Sequence, residues 1–207
     1  MIQVDDQGSG VVTLTLDRAD KANALTAEML DSLTTAAATV GRSDARALIL
    51  TGRGPVFSAG ADLDAARAGL ATSDEWERLS GTIAELPVLT IAALNGTVVG
   101  GAFGMVLACD LRVAVPTARF FYPVMKLGFL PQPSDPERLV ALVGPARAAM
   151  ILMAGQRIDA DEALAWGLID RIAEPAALLD IARDLCRDVL GAGRDHVQRI
   201  KEMIGRR

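Results

Sequence analysis

The sequence has little of what metal, disulfide and nucleic-acid chemistry require. Its 207 residues include one histidine, His196, and two cysteines, Cys109 and Cys186. A zinc site built from several His or Cys ligands is excluded within one chain, and so is a disulfide-dense secreted scaffold. Basic residues are outnumbered, with 21 Lys and Arg against 26 Asp and Glu and a net charge of −5, which argues against any broad attraction to a phosphate backbone. No apolar run reaches the roughly 18 residues of a membrane span. The most apolar stretch, residues 98–108, is short and interrupted by Gly100, Gly101 and Gly104. The amino terminus, Met1-Ile2-Gln3-Val4-Asp5-Asp6, lacks the basic and apolar regions of a signal peptide. A soluble cytoplasmic protein without nucleic-acid or membrane partners is expected, with both cysteines acting as small buried hydrophobes.

What is present is 51% hydrophobic and 23% charged, enough for one domain over residues 1–207. Residues 11–16 read as a β-rich strand, followed by the turn Asp17-Arg18-Ala19-Asp20. Thr26 can cap a helix through about Val40, with Met29, Leu30, Leu33 and Ala37 at helical spacing. Residues 47–51, 88–93 and 111–115 are short apolar runs, the mark of strands buried on both faces. Ser73 and Asp74 open a further helix that stops before Pro87. Strand, helix, strand, helix, strand describes an α/β domain with parallel pairings. From Ser134 onward the pattern is mostly helical, with one strand expected at 168–172.

Two glycine-rich segments each follow a buried strand: Phe57-Ser58-Ala59-Gly60-Ala61-Asp62-Leu63, and Asn95-Gly96-Thr97-Val98-Val99-Gly100-Gly101-Ala102-Phe103-Gly104. Glycine lets backbone N–H groups approach a ligand, and a helix opening inside such a loop adds its positive end. Two such loops could aim two N–H groups at one oxygen, although glycines at strand-to-helix turns also serve packing alone. Neither segment is a phosphate-binding Walker loop or a dinucleotide fingerprint.

In this order the residues resemble the crotonase, or enoyl-CoA hydratase/isomerase, superfamily. Asp17-Arg18-Ala19-Asp20-Lys21-Ala22-Asn23-Ala24-Leu25 is similar to the family's R-P-x-x-x-N-A-L turn, and residues 57–63 to its F-x-A-G-A-D-L loop. Asn95-Gly96 with Gly100-Gly101, and Asp110 further on, resemble N-G-x-x-x-G-G…C-D. Pro123, Lys126, Leu127 and Gly128 resemble P-E-x-K-L-G, and residues 160–169 resemble A-x-x-A-x-x-x-G-L-V. The resemblance implies an α/β spiral of ββα units over about residues 1–133 and a helical region over about 134–207. It also implies binding of an acyl-CoA thioester, coenzyme A being part of the substrate and no cofactor being held permanently. The backbone N–H groups of Ala61 and Gly101 would donate hydrogen bonds to the thioester oxygen, on which negative charge develops. Ala59, Asp62, Leu63 and Asp64 would line the adenine and pantetheine path, and Arg18, Lys21 and Arg53 would meet its phosphates or simply be solvated. Asp62 is expected to satisfy backbone N–H groups of its own turn.

The chain departs from the family where hydratases carry two glutamates. The first position is Gly104 and the second, after Pro123, is Val124. Candidates to replace them lie in Pro131-Gln132-Pro133-Ser134-Asp135-Pro136-Glu137-Arg138, above all Asp135, and at Tyr122, the chain's one tyrosine. The alternative is structural: Ser134 and Glu137 as a capping box, Asp135 against the helix dipole, Tyr122 as packing. Lys126 and His196 are expected at the surface, and Met105, Met125, Met150, Met153 and Trp166 in the core. The resemblance further implies a homotrimer or hexamer, possibly with a related subunit. It also implies a helical cover beyond Ile200 and Lys201, so that with Arg207 last the acyl pocket is expected to be more open or closed by a neighbour. Enolate chemistry without hydration, as in isomerisation or decarboxylation, is the first expectation. A silent acyl-CoA binder or partner subunit is the second, and a serine hydrolase using Ser58 and His196 a distant third.

Overall fold

A computed structural model describes residues 1–6 and 8–205. In chain order the strands are β1 (Ile2–Asp6), β2 (Val11–Leu16), β3 (Ala47–Gly52), β4 (Val56–Ser58), β5 (Leu89–Leu94), β6 (Thr97–Val99), β7 (Leu111–Ala114), β8 (Arg119–Phe121), β9 (Ile158–Asp159) and β10 (Arg171–Ile172). The helices are α1 (Ala27–Arg42), α2 (Leu63–Arg67), α3 (Glu75–Ala84), α4 (Ala102–Leu107), α5 (Val124–Leu127), α6 (Asp135–Val143), α7 (Pro145–Leu152), α8 (Ala160–Trp166), α9 (Leu178–Asp184), α10 (Arg187–Gly191) and α11 (Arg194–Ile204).

β3 and β5 are mostly apolar and buried along nearly their whole length because they occupy the middle of the larger sheet, whose order is β1-β2-β3-β5-β7-β10. Its pairings are parallel except for β1 on β2. Leu48, Ile49 and Ile91 are fully buried there, each worth about 1.5–3 kcal/mol of apolar burial. A smaller sheet runs β4-β6-β8-β9, parallel except for β9. The chain shuttles between the two: β3, β4, α2; then β5, β6, α4; then β7, β8, α5. Each circuit lays one strand in each sheet and closes with a helix, which is the expected ββα spiral.

α1 forms as its spacing predicts. The Thr26 side chain accepts the Met29 N–H at its start, and Met29, Leu30, Leu33, Ala37 and Val40 are buried on one face. Cys109 and Cys186 are free and buried, and burial pushes their thiols up to about 12 and about 11, so neither is a nucleophile. His196 is exposed on α11. No helix among the described residues is long and apolar enough to cross a membrane.

Three expectations are corrected. Met125, Met150 and Met153 are exposed, whereas Met105 is in the core; helical spacing marks an apolar side chain without saying whether an intrachain partner faces it. The strand expected at 168–172 is only β10, because Leu168 and Ile169 are buried in the turn that precedes it. Ser134 does not make the expected capping box: its side chain caps no N–H of α6 and donates instead to the Glu77 carboxylate of α3.

Candidate active site

Three side chains tie the turns around the two glycine-rich loops: Asn23 and Ser58 brace the first, and Asn95, at the start of the second, reaches the β3–β4 turn. Asn23 is fully buried with φ +52°, a conformation asparagine tolerates better than most residues. Its side-chain oxygen accepts the Arg18 N–H at 2.9 Å, and its amide donates to Arg53 O and Val56 O at 2.9 and 2.8 Å. Asn95 accepts the Gly52 N–H at 2.9 Å and donates to Gly54 O at 2.8 Å. The Ser58 hydroxyl donates to Asn23 O at 2.8 Å and accepts the Gly60 N–H. Ser58 is therefore a fully buried brace whose hydroxyl donates to a backbone carbonyl, while His196 is exposed on α11, and the serine-hydrolase reading finds no paired nucleophile and base.

The first loop turns at Gly60, φ +83°. Leu25 donates to Gly60 O at 2.7 Å and accepts the Asp62 N–H at 2.8 Å, a one-residue parallel bridge centred on Ala61. In a parallel bridge the flanking residues make both bonds, so the N–H of Ala61 itself points to the other side. No acceptor among the described residues receives it. The second loop turns at Gly100, φ +56°, whose N–H is spent on Phe121 O. Gly101 follows as the N-cap of α4 with a helical backbone, and its N–H likewise meets no acceptor among the described residues. The loops touch where they turn: a Cβ on Gly60 would lie 2.7 Å from Val99 O and 3.8 Å from the Gly100 Cα. The two unspent N–H groups each sit one residue beyond that contact. The buried Trp76 ring packs on Gly101 from α3, with its indole N–H donated to Leu70 O.

The residues expected along a CoA path gather on one edge of this pair. Ala59 donates to Ala22 O, which places its loop beside the short turn that carries Lys21. Lys21, Leu63 and Asp64 are exposed and Ala59 is half-buried. Asp62 accepts the Asp64 and Ala65 N–H groups as the cap of α2, its expected structural part, and pairs with Arg18 at 2.8 Å. The Arg18 guanidinium holds the Asp62 carboxyl below the usual range. Arg18 also donates to Ala24 O, so its charge braces the turn rather than standing free. Arg53 reaches outward to Gln3, and Lys126 is exposed.

One helical turn beyond Gly101 lies Gly104, where a Cβ would meet Asp135 Oδ1 at 3.2 Å and Ser80 Cβ at 3.5 Å. Asp135 is 1% exposed, and its Oδ1 is a buried atom without a hydrogen-bond partner. Tyr122 donates its hydroxyl proton to Oδ2 at 2.9 Å, accepts the Gln132 N–H at 3.3 Å and packs on Phe103. Burial pushes the Asp135 carboxyl up to about 7; Glu77 adds to the rise, and the Tyr122 bond and Arg138 oppose it. Burial also raises Tyr122, which stays protonated. Asp135 and Tyr122, named separately from sequence, are thus brought together. Glu77, Ser80 and Trp76 were not legible as site residues, since α3 reads simply as an amphipathic helix. Val124 is buried.

A family model described as enoyl-CoA hydratase/isomerase matches residues 6–207. A probable enoyl-CoA hydratase, echA6, of Mycobacterium leprae is 33% identical over 202 residues, covering 96% of this chain and 80% of that protein. A carnitinyl-CoA dehydratase of Salmonella arizonae is 37% identical over 202 residues, covering 93% and 76%. The crystal structure of an enoyl-CoA hydratase, EchA8_6, from Mycobacterium marinum is similar with a TM-score of 0.89 and 31% identity, covering 98% of each chain.

Proposed function

Because the chain belongs to the enoyl-CoA hydratase/isomerase family, we propose that it binds an acyl-CoA thioester, holds its carbonyl oxygen on the Ala61 and Gly101 N–H groups, and stabilises the derived enolate. The observation that supports this reading is the contact of Gly60 with Val99 and Gly100, with one N–H that meets no acceptor among the described residues following it on each loop. Such donors cost no reorganisation when charge develops on the oxygen, and removing one elsewhere costs about 2.7–4 kcal/mol. The adenine and pantetheine would run past Ala59, Asp62, Leu63 and Asp64, with Lys21 and the outer face of Arg18 toward the phosphates.

Hydration needs one group to activate water and another to protonate carbon, and Gly104 and Val124 supply neither. Isomerisation or decarboxylation fits better, since each reaches an enolate without an activated water. The same two apolar positions favour a second reading, a silent acyl-CoA binder or partner subunit. Two buried, unpaired thiols suit the reducing cytoplasm.

Butyryl-CoA at about 100 times its dissociation constant should stabilise the fold by about 2.7 kcal/mol, raising Tm by about 5–10 °C, with free CoA giving less. No shift with butyryl-CoA would remove the reading. Binding without turnover of any enoyl or malonyl-type thioester would leave the silent binder.

We also propose self-association as a trimer or hexamer. Met125, Leu127, Phe129 and Leu130 form an exposed apolar run, Leu130 being 87% exposed, and such runs commonly mark interfaces. Light scattering should give three or six times 21.8 kDa, and Leu130→Asp should shift the population toward monomer. A monomeric wild type at micromolar concentration would refute it.

A further inference from the structure

Residues 123–134 lie on the body of the protein without being woven into it. Among the described residues, every backbone hydrogen bond of residues 123–133 ends within residues 122–135: Val124 donates to Tyr122 O, Leu127 to Pro123 O, Gly128 and Phe129 to Val124 O, and Gln132 O accepts the Asp135 N–H. Residues 125–130 are all exposed, and Val124 is the buried side chain of the segment. What fastens this loop is a few side-chain bonds at its ends. The Tyr122 hydroxyl accepts the Gln132 N–H at 3.3 Å and donates to Asp135 Oδ2 at 2.9 Å, so the two ends meet on one oxygen. The Glu77 carboxylate takes the N–H and hydroxyl of Ser134. A loop of this length whose ends meet, with few buried contacts of its own, opens at lower free energy than the strands around it.

The clasp holds groups poorly suited to a dry site. Asp135 is 1% and Arg138 8% exposed, and Oδ1 of the first and Nη1 of the second are buried atoms without a hydrogen-bond partner. Oδ1 faces the bare Cα of Gly104. The charged groups near Asp135 are Glu77 of α3, which disfavours its ionisation, and Arg138 of its own helix, which favours it. From α4 and the end of β8 it meets only Gly104 and the Tyr122 hydroxyl. A neutral carboxyl is tolerable there; a charged one lacks the water or donor that Oδ1 then requires.

We propose that residues 123–134 are a strap, latched at Asp135, that lies closed while this carboxyl is neutral and lifts when it is charged, admitting water to the space beside Gly104. Linkage fixes the direction. With the strap closed the carboxyl keeps its proton up to about pH 7; hydrated in the open form, it keeps it only up to about pH 3.9. Between those values opening releases a proton, so the open fraction rises about tenfold per pH unit, and above pH 7 both forms are charged and it levels off. The strap thus seals the compartment one helical turn from Gly101 in acid and loosens it toward neutrality, whatever the site holds.

Hydrogen exchange of the full chain, followed by mass spectrometry and corrected for the intrinsic rate at each pH, tests this. Protection of the strap amides should fall about tenfold per unit from about pH 5 to 7 and then hold, with little response to mild urea. The β3 amides should be far better protected and should respond to urea, since freeing them exposes much more surface. Asp135→Asn, nearly isosteric and uncharged, should give strap protection that is constant across the range. Tyr122→Phe should weaken protection throughout and, by removing a bond that favours the charged carboxylate, push the levelling to higher pH. Wild-type protection that is flat with pH, or an equal slope in Asp135→Asn, overturns the proposal. So do strap amides that share the urea dependence of β3, since the latch would then yield only with the whole fold. A slope that disappears on dilution also overturns it, by assigning the effect to self-association.

Discussion

Gly60→Ala is expected to destabilise the fold by about 2–5 kcal/mol and to weaken acyl-CoA binding or turnover by about 10²-fold. Two costs add in the stability. At φ +83° an L side chain sits in the left-handed region, at about 1–2 kcal/mol. The new methyl would also lie 2.7 Å from Val99 O, and overpacking of this kind typically costs about 1–3 kcal/mol. The carbonyl cannot swing aside cheaply, because β6 is paired on one side to β4 and on the other to β8. Relief must come from moving the loop that carries Ala61 away from Gly100, which pulls the two N–H groups apart. Losing one such donor is worth about 10²–10³ in rate. Gly69→Ala is the matched control: φ is +105° but a Cβ there meets nothing within 4 Å, so it should cost about 1–2 kcal/mol and leave binding unchanged. Urea denaturation and butyryl-CoA titration of both variants decide the matter. Unaltered affinity in Gly60→Ala would mean that the two loops do not share a ligand.

How far the sequence carries the fold depends on the length of each signal. β3 and β5 are legible because six-residue apolar strands at the centre of a sheet have no solvent face, and α1 because Thr26 caps a long apolar stripe. The three-residue strands β4, β6 and β8 are too short to show a period, yet they make the smaller sheet that brings Ala61 to Gly101. The site was half legible for the same reason. Gly60 and Gly100 mark loops in any reading, but their mutual contact is a property of β4 lying beside β6. Asn23 and Asn95 could be quoted as motif letters; that their amides tie the β3–β4 turn is visible only once distant carbonyls converge on them. At Ser134 and Asp135 local rules point to a capping box. The outcome is set instead by Glu77, which lies on α3 far back in the chain and takes Ser134, and by Gly104, which leaves room for the Asp135 carboxyl. Local patterns do not encode such pairings.

The sharpest consequence of that room is a crossing of two stability curves. Asp135 ionises in the native state near pH 7, against about 3.9 in an unfolded chain. Between those values the native protein keeps a proton that the unfolded chain has released, so stability falls as pH rises, by up to about 1.4 kcal/mol per pH unit from this group alone. The accumulated penalty above pH 7 is of the order of 4 kcal/mol. Asparagine has no charge to bury and escapes it, but its amide finds no acceptor where Oδ1 now stands, an offset of about 1–2 kcal/mol. Asp135→Asn should therefore be less stable than wild type by about 1–2 kcal/mol near pH 4 and more stable by about 2–3 kcal/mol at pH 8. Other titrating groups are common to both proteins and cancel in the difference. Urea midpoints at the two pH values measure it, and parallel curves would show that Asp135 carries no displaced proton. A variant that folds better than wild type at pH 8 would identify the buried carboxyl as one kept at the expense of stability.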